Sequence, residues 1–287
     1  MITYLFPGQG SQKKGMGKDL FPLYPGLVNK ANDILGYSIE ELCLNSNESF
    51  LTKTENAQPA IYVVNALNYY ADIEKYSSLP NYVVGHSLGE YNALLASGVF
   101  DFETGLKIVK KRGELMSKAV GGSMAAVIGL SIEEINQIII DNNLNIDLAN
   151  INSPEQIVIS GKVDDIVSSE DLFINGGAKN YIILKVGGAF HSRYMSEAAN
   201  ELKDFISDIN FHLPQIPVIS NLTAKPYDFD KESIVNNLSM QLNNPVRWTE
   251  SIDYLIEKGN MNFHEISNTQ ILIGMLNKIL RLKKNRT

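Results

Sequence analysis

Residues 82–98 read YVVGHSLGEYNALLASG, and the fold turns on how the first five of them pass into the rest. YVVGH is a short, mostly apolar run, and LGEYNALLAS continues from it with no turn signal, as a helix would. The join carries Gly85-x-Ser87-x-Gly89, the pattern of a sharp strand–turn–helix elbow. Such an elbow exposes its serine in a strained conformation at the carboxyl edge of a sheet, with glycines on either side to avoid a clash. The new helix then points backbone N–H groups and its positive dipole end at the hydroxyl. By composition the string arises in roughly one chain in ten of this length, so the flanking strand and helix carry the reading. A nucleophile is the sharper reading of Ser87 and a structural turn the plainer one.

Working outward, ITYLF (2–6) is a buried strand stopped by PGQG. Residues 57–76 are long and free of turn residues, which predicts a helix, and 101–119 predicts another, capped by Asp101. Strands alternating with helices imply a parallel sheet covered on both faces. The middle of the chain differs. Strand 123–130, helix 131–143, strands NIDLANI and QIVISG, a helical stretch at 163–177 and strand 180–186 follow one another. That β-α-β-β-α-β order is ferredoxin-like. Gly121–Gly122 and Gly187–Gly188 bracket it like hinges. The expected class is therefore α/β, a large parallel-sheet domain (1–121 and 189–287) with an inserted ferredoxin-like small domain (122–188). After the insertion the chain predicts a helix at 193–208, a strand at PVISN, two helices, a strand at NFHEI and a terminal helix.

Composition narrows the function classes. A net charge of −7 over 287 residues argues against nucleic acid or anionic membranes as general partners. No run is long enough to span a bilayer, and MITYLFPGQG lacks the basic start and apolar core of a signal peptide, so a cytoplasmic protein is expected. The cations from Lys278 to Arg286 read as a solvated helix end suited to the local dipole. Cys43 is the single cysteine, which excludes an intrachain disulfide, and ELCLN makes it a small buried hydrophobe.

A serine nucleophile needs a base, and the chain has four histidines. His86 adjoins the serine, so its side chain leaves the other face of the strand. His212 (NFHLP) and His264 (NFHEI) alternate with apolar residues in strand-like runs and read as packed or surface residues. His191, in KVGGAFHSRYM, sits in a glycine-rich connection able to carry an imidazole to the edge of a site. Arg112 is the second clue. At about 100° per residue, Phe102, Leu106, Val109, Gly113 and Met116 form an apolar stripe along helix 101–119, and Arg112 falls within its arc. An inward arginine needs an anion, because an unpaired buried charge costs several kcal/mol. An internal carboxylate is the commoner structural answer, and a substrate carboxylate held by the guanidinium fork is the other.

PGQGSQ (7–12), QPA (58–60), GHSLGEYNAL (85–94), the arginine of KKRGELM (110–116), INSPEQIVISG (151–161), AFHS (189–192) and QLNNPVRW (241–248) together resemble the malonyl-CoA:acyl-carrier-protein transacylase family. The resemblance covers nearly the whole chain and is most like the discrete acyltransferases that serve polyketide synthases. Its fold, an α/β-hydrolase-like domain with a ferredoxin-like insertion, agrees with the reading above. It implies that Ser87 takes malonyl from coenzyme A, that His191 is the base, and that the main-chain N–H groups of Gln9 and Leu88 form the oxyanion hole. It implies that the Gln241 main-chain carbonyl orients His191, that Arg112 grips the malonyl carboxylate, and that Phe190 and Met116 contact substrate. Phenylalanine at 190 accompanies malonyl selection, whereas serine there accompanies methylmalonyl. Two departures are Gly188, where many malonyl-selective domains have histidine, and SNTQ (267–270), which replaces a Gly-Pro-Gly turn. The resemblance further implies a monomer that needs no metal or cofactor and has malonyl-CoA and an acyl carrier protein as partners. A housekeeping transacylase of fatty-acid synthesis and a proofreading acyl hydrolase are the alternatives on this scaffold. A non-catalytic docking module and an ordinary esterase match it less well.

Overall fold

The computed structural model describes residues 1–228, 230–267 and 269–284. Strands β1 (Ile2–Phe6), β2 (Tyr82–Gly85), β3 (Gly122–Ile128), β4 (Ile146–Ser153), β5 (Gln156–Lys162), β6 (Asn180–Ile183), β7 (Val218–Ile219) and β8 (Asn262–Glu265) form two four-stranded sheets. The first, ordered β7-β2-β1-β8, is parallel throughout. Its strands are apolar on both sides because each side packs a separate core. Tyr4, Phe6, Val83 and Val218 turn into one cluster, while Leu5, Val84 and Ile219 turn into another with Trp248, Ile252 and Leu272. This is the two-residue alternation of a strand buried on both faces.

The second sheet, β4-β5-β3-β6, is antiparallel. Numbered within its own β-α-β-β-α-β unit, the order is 2-3-1-4, the ferredoxin-like arrangement. One face carries Ala125, Val127, Ile157 and Ile159 against helical Ile135, Ile166 and Phe173. The other sends Met124, Ala126 and Val158 into the main cluster, so the two sheets share a wall. A parallel bridge from Asn150 to Val246 ties this sheet to the later chain. The expected α/β class, hydrolase-like parallel sheet plus ferredoxin-like sheet, is the one observed.

Four local expectations differ. Residues 25–51 hold three helices, Pro25–Leu35, Ile39–Leu44 and Glu48–Leu51, of which only the stretch around Cys43 was legible. The strand expected over 180–186 stops at Ile183, and Leu184, Lys185 and Val186 line a cleft, with the Leu184 N–H still donating to the Met124 carbonyl (2.9 Å). The helix expected at 193–208 is a 3-10 turn, Arg193–Met195, followed by an α-helix, Ser196–Ser207. His212 belongs to no strand; its N–H donates to the Val99 carbonyl (2.8 Å) and the residue is exposed. The SNTQ departure includes Asn268, which lies outside the described residues, as do Asn285, Arg286 and Thr287 of the basic end. Within that end, Lys278 Nζ donates to Gln156 Oε1 (2.7 Å).

Cys43 is buried, and burial pushes its thiol up to about 12, which suits a packed hydrophobe. Among the described residues no helix is long and apolar enough to cross a membrane, and no group of three or more His, Cys, Asp or Glu side chains is placed to hold a metal.

Candidate active site

Ser87 stands between the end of β2 and the helix Gly89–Ala96, with φ at 50°. The flanking glycines are there for space. A Cβ on Gly85 would lie 1.9 Å from the Gly89 carbonyl carbon, and a Cβ on Gly89 would lie 1.9 Å from the Phe6 oxygen. Strand end, elbow and the PGQG loop are thus packed backbone on backbone, a distance that no side chain permits. The same packing brings the two expected oxyanion positions together. A Cβ on Gly8, the neighbour of Gln9, would stand 3.3 Å from the Leu88 nitrogen. Gln9 lines the cleft, and Leu88 opens the elbow helix.

His191 comes to the serine from 104 residues away, also with a left-handed φ, 57°. The Gln241 main-chain oxygen lies 2.8 Å from its Nδ1. A carbonyl only accepts, so Nδ1 carries the proton and Nε2 is left as an acceptor. Ser87 Oγ–H then donates to Nε2 at 2.7 Å. Burial, and after it the Arg112 charge, pulls the imidazole down to about 3, so it rests neutral with no proton on Nε2. His86 takes no part in this relay. Its Nε2 meets Asn152 Oδ1 at 2.8 Å and its ring lies against Trp248. His264 pairs with Asp72 at 2.5 Å, remote in role from the serine.

Arg112 is 1 % exposed, as its place on the apolar arc predicts, yet its partners are not the internal carboxylate that such an arginine usually finds. Nη1 donates to Gln58 Oε1 (2.7 Å), and Nη2 donates to Gln241 Oε1 (2.9 Å) and to Ser87 Oγ (3.1 Å). Two neutral amides and a hydroxyl hold the cation in place without cancelling it. The Tyr91 ring lies 5.4 Å from Cζ, adding a cation–π contact.

The acidic group behind this arrangement is Glu90, which the sequence reading did not single out. Fully buried, it accepts from Tyr227 Oη–H (2.6 Å), from the Asn221 N–H (3.1 Å) and from Gln241 Nε2. Gln241 Nε2 donates also to the Ser87 carbonyl (2.9 Å), which fixes the sense of the amide: nitrogen toward Glu90, oxygen toward Arg112. Burial raises the Glu90 carboxyl to about 7, so at neutral pH it offers Arg112 only part of a counter-charge, across the Gln241 amide. Asn221 completes the support, accepting from the Ser87 N–H (2.7 Å) and donating to the Gly85 carbonyl (2.6 Å). Gln58 lies in the QPA motif and Asn221 in PVISN, but nothing in spacing assigns them to the elbow.

The cleft in front of Ser87 has a volume of about 810 Å³. Gln9, Ser87 and His191 are among its polar lining, and Met116, Met124, Leu184, Val186 and Phe190 give it apolar walls. Met116 also accepts from Gln58 Nε2 through its sulfur (3.2 Å). The Gly188 departure has a steric reading here. A Cβ at 188 would come within 2.7 Å of the Phe190 ring, so glycine makes room for the ring to lie where it does. Chemically, a hydroxyl bonded to a neutral imidazole, beside backbone donors and a cation only partly offset, can carry out acyl transfer with an anionic acyl group.

Residues 3–286 match the model of the acyl transferase domain family. The chain belongs to this family. A relative in Bacillus subtilis (strain 168), the polyketide biosynthesis malonyl CoA-acyl carrier protein transacylase PksC, is 50% identical over 281 residues, 97% of each chain. Among solved structures, the malonyl CoA-acyl carrier protein transacylase of Burkholderia pseudomallei matches with a TM-score of 0.93 at 44% identity, covering 98% of both chains. A malonyl-transacylase solved in complex with its type II PKS acyl-carrier protein matches with a TM-score of 0.93 at 35% identity, covering 98% of this chain and 93% of that one.

Proposed function

We infer that this acyltransferase moves a malonyl group from malonyl-CoA to the phosphopantetheine thiol of an acyl carrier protein, acting in trans for a polyketide synthase. The observation that carries the reading is the buried arginine held by neutral amides 3.1 Å from the serine hydroxyl. An ordinary esterase has no use for such a cation. Family membership and the polyketide relative support the same reading.

In the first half-reaction Ser87 Oγ attacks the thioester carbonyl while His191 Nε2 takes its proton. The Oγ–C bond forms, the C–S bond breaks, and the proton leaves with the coenzyme A thiolate. The Gln9 and Leu88 N–H groups hold the transient oxyanion, and Arg112 holds the distal carboxylate. The second half-reaction runs the same steps in reverse order with the carrier thiol as nucleophile. One imidazole serves as base and then acid, and its tautomer needs only the Gln241 carbonyl. Every group required belongs to the chain, so the chemistry calls for no cofactor. The division into 1–121 with 189–287 and 122–188, and a cytoplasmic location, belong to the same proposal.

Incubation with a panel of acyl-CoAs and phosphopantetheinylated carrier proteins, read by intact mass, tests it. A malonyl adduct on the enzyme that then moves to the carrier is the expected result. Release of free malonate without transfer would make the protein a hydrolase. Faster transfer to a fatty-acid carrier than to polyketide carriers would move it to the housekeeping setting.

Phe190 supplies a further prediction. Phe190→Ser removes a ring from the cleft wall one residue from the base, and should raise methylmalonyl loading relative to malonyl. One methyl is worth only ~1–3 kcal/mol, so the gain in the ratio is about tenfold or less. Competition between the two thioesters, read by intact mass, measures it. An unchanged ratio would place the selecting wall elsewhere.

A further inference from the structure

The Arg112 contacts carry a consequence that rests on the reading above and goes beyond binding. The Nη2 nitrogen has two hydrogens, and both are engaged, one on Gln241 Oε1 and one on Ser87 Oγ. A carboxylate taken up by the guanidinium fork uses either Nη1 with Nη2 or Nε with Nη2. Nε–H makes no hydrogen bond of regular geometry, although the Tyr91 hydroxyl bears on the guanidinium, and Nη1 has a hydrogen beyond the one given to Gln58. In both modes one Nη2 bond must be surrendered. Gln241 is buried and its amide is fixed from behind by Ser87 O and Glu90, whereas the Ser87 hydroxyl faces the cleft and holds the longer bond. The bond given up is the one to the serine.

We propose that Arg112 clamps the Ser87 hydroxyl in the resting enzyme, and that the acyl group's own carboxylate releases it. An acceptor bond from a guanidinium occupies one oxygen lone pair and withdraws electron density from the atom that must attack. Once a carboxylate takes the Nη2 hydrogen, Ser87 Oγ is bonded to His191 alone. The carboxylate also offsets a cation that lies one hydroxyl away from the imidazole as it gains a proton. The groups bearing on His191 are Arg112, His86, Ser87 and the Gln241 and Asn244 backbone, with Glu90 behind Gln241. Arg112 is the fixed charge among them. Selection of carboxylated acyl groups is then exercised on the rate of acylation, as well as on affinity.

With such a clamp, a malonyl group can be supplied in two pieces. Acetyl-CoA brings the thioester without the carboxylate, and formate brings a carboxylate small enough to reach Arg112. The reaction remains complete in itself: Ser87 Oγ–C forms, C–S breaks, the proton passes through His191 to the coenzyme A thiolate, and formate is not consumed. The experiment measures the rate constant for acetylation of Ser87 by acetyl-CoA, by rapid quench and intact mass, against formate concentration. Wild type should accelerate saturably, by about tenfold, the worth of one charge-assisted hydrogen bond. Sodium chloride at matched ionic strength should give no acceleration, and Arg112→Ala should be faster than wild type without formate and insensitive to it. A flat or falling wild-type rate with formate, or an equal rise with chloride or in Arg112→Ala, overturns the clamp. Malonyl and acetyl rates of Arg112→Ala separate the two ideas. If malonyl alone suffers while formate does nothing, the clamp fails and the substrate reading stands. Equal loss on both thioesters removes the substrate reading and the clamp with it.

Discussion

Ser87→Ala should abolish the malonyl adduct and reduce transfer to a carrier protein by on the order of 10⁴-fold or more. The size follows from what the serine provides. It is the atom that bonds to the acyl group, held 2.7 Å from the imidazole that takes its proton. Without it, coenzyme A and carrier must react directly, and the site offers no second nucleophile at that position. The substitution is also structurally mild. Alanine keeps the Cβ that already stands at a φ of 50°, and Asn221 still accepts from the residue's N–H. The thermal midpoint should therefore move little, and loss of adduct can be read as loss of chemistry. A malonyl mass retained on the alanine variant would assign the nucleophile to another residue and dissolve the elbow argument.

How much of this was legible before the fold was known depends on whether the signal lay in neighbours along the chain or in neighbours in space. The elbow was legible because strand, glycines, serine and helix are contiguous, and the glycine spacing answers to a local contact of 1.9 Å. The inserted sheet was legible because its six elements occur in order between two glycine pairs. Arg112 was legible through periodicity, which places a side chain inward but cannot say whether a carboxylate or an amide waits for it. The structure answers with Gln58 and Gln241, 54 and 129 residues away. Glu90 sits in the quoted stretch itself and was still missed. An acidic residue in the first turn of a helix reads as a dipole partner, and its buried contacts, Asn221, Tyr227 and Gln241, are all more than 130 residues distant. The end of the strand at Ile183 is illegible in the sequence for a related reason. Apolar residues that line a cleft look the same in sequence as apolar residues that pack a sheet.

Arg112→Ala should lower kcat/KM for malonyl-CoA by roughly thirtyfold or more, the effect of removing one side of a buried charge-assisted pair worth about 2–5 kcal/mol. Acetyl-CoA should be spared or improve, since it has no carboxylate to lose and the cation no longer stands over the serine. Two features of the structure make this split the expected result rather than a general collapse. The guanidinium is held by amide oxygens, so its removal orphans two neutral acceptors, and the buried Glu90 carboxyl, which it partly offsets, can take up a proton in its absence. The Gln241 amide stays anchored to Ser87 O and Glu90, so its main-chain carbonyl continues to orient His191. Arg112→Lys should recover malonyl transfer only in part, because a point charge cannot reproduce two parallel N–H donors. The measurement is kcat/KM for both thioesters with wild type and both variants, alongside a thermal melt. An equal loss on malonyl and acetyl in a folded Arg112→Ala protein would make the arginine a structural post for Gln58 and Gln241, and the specificity for a carboxylated acyl group would have to come from elsewhere in the cleft.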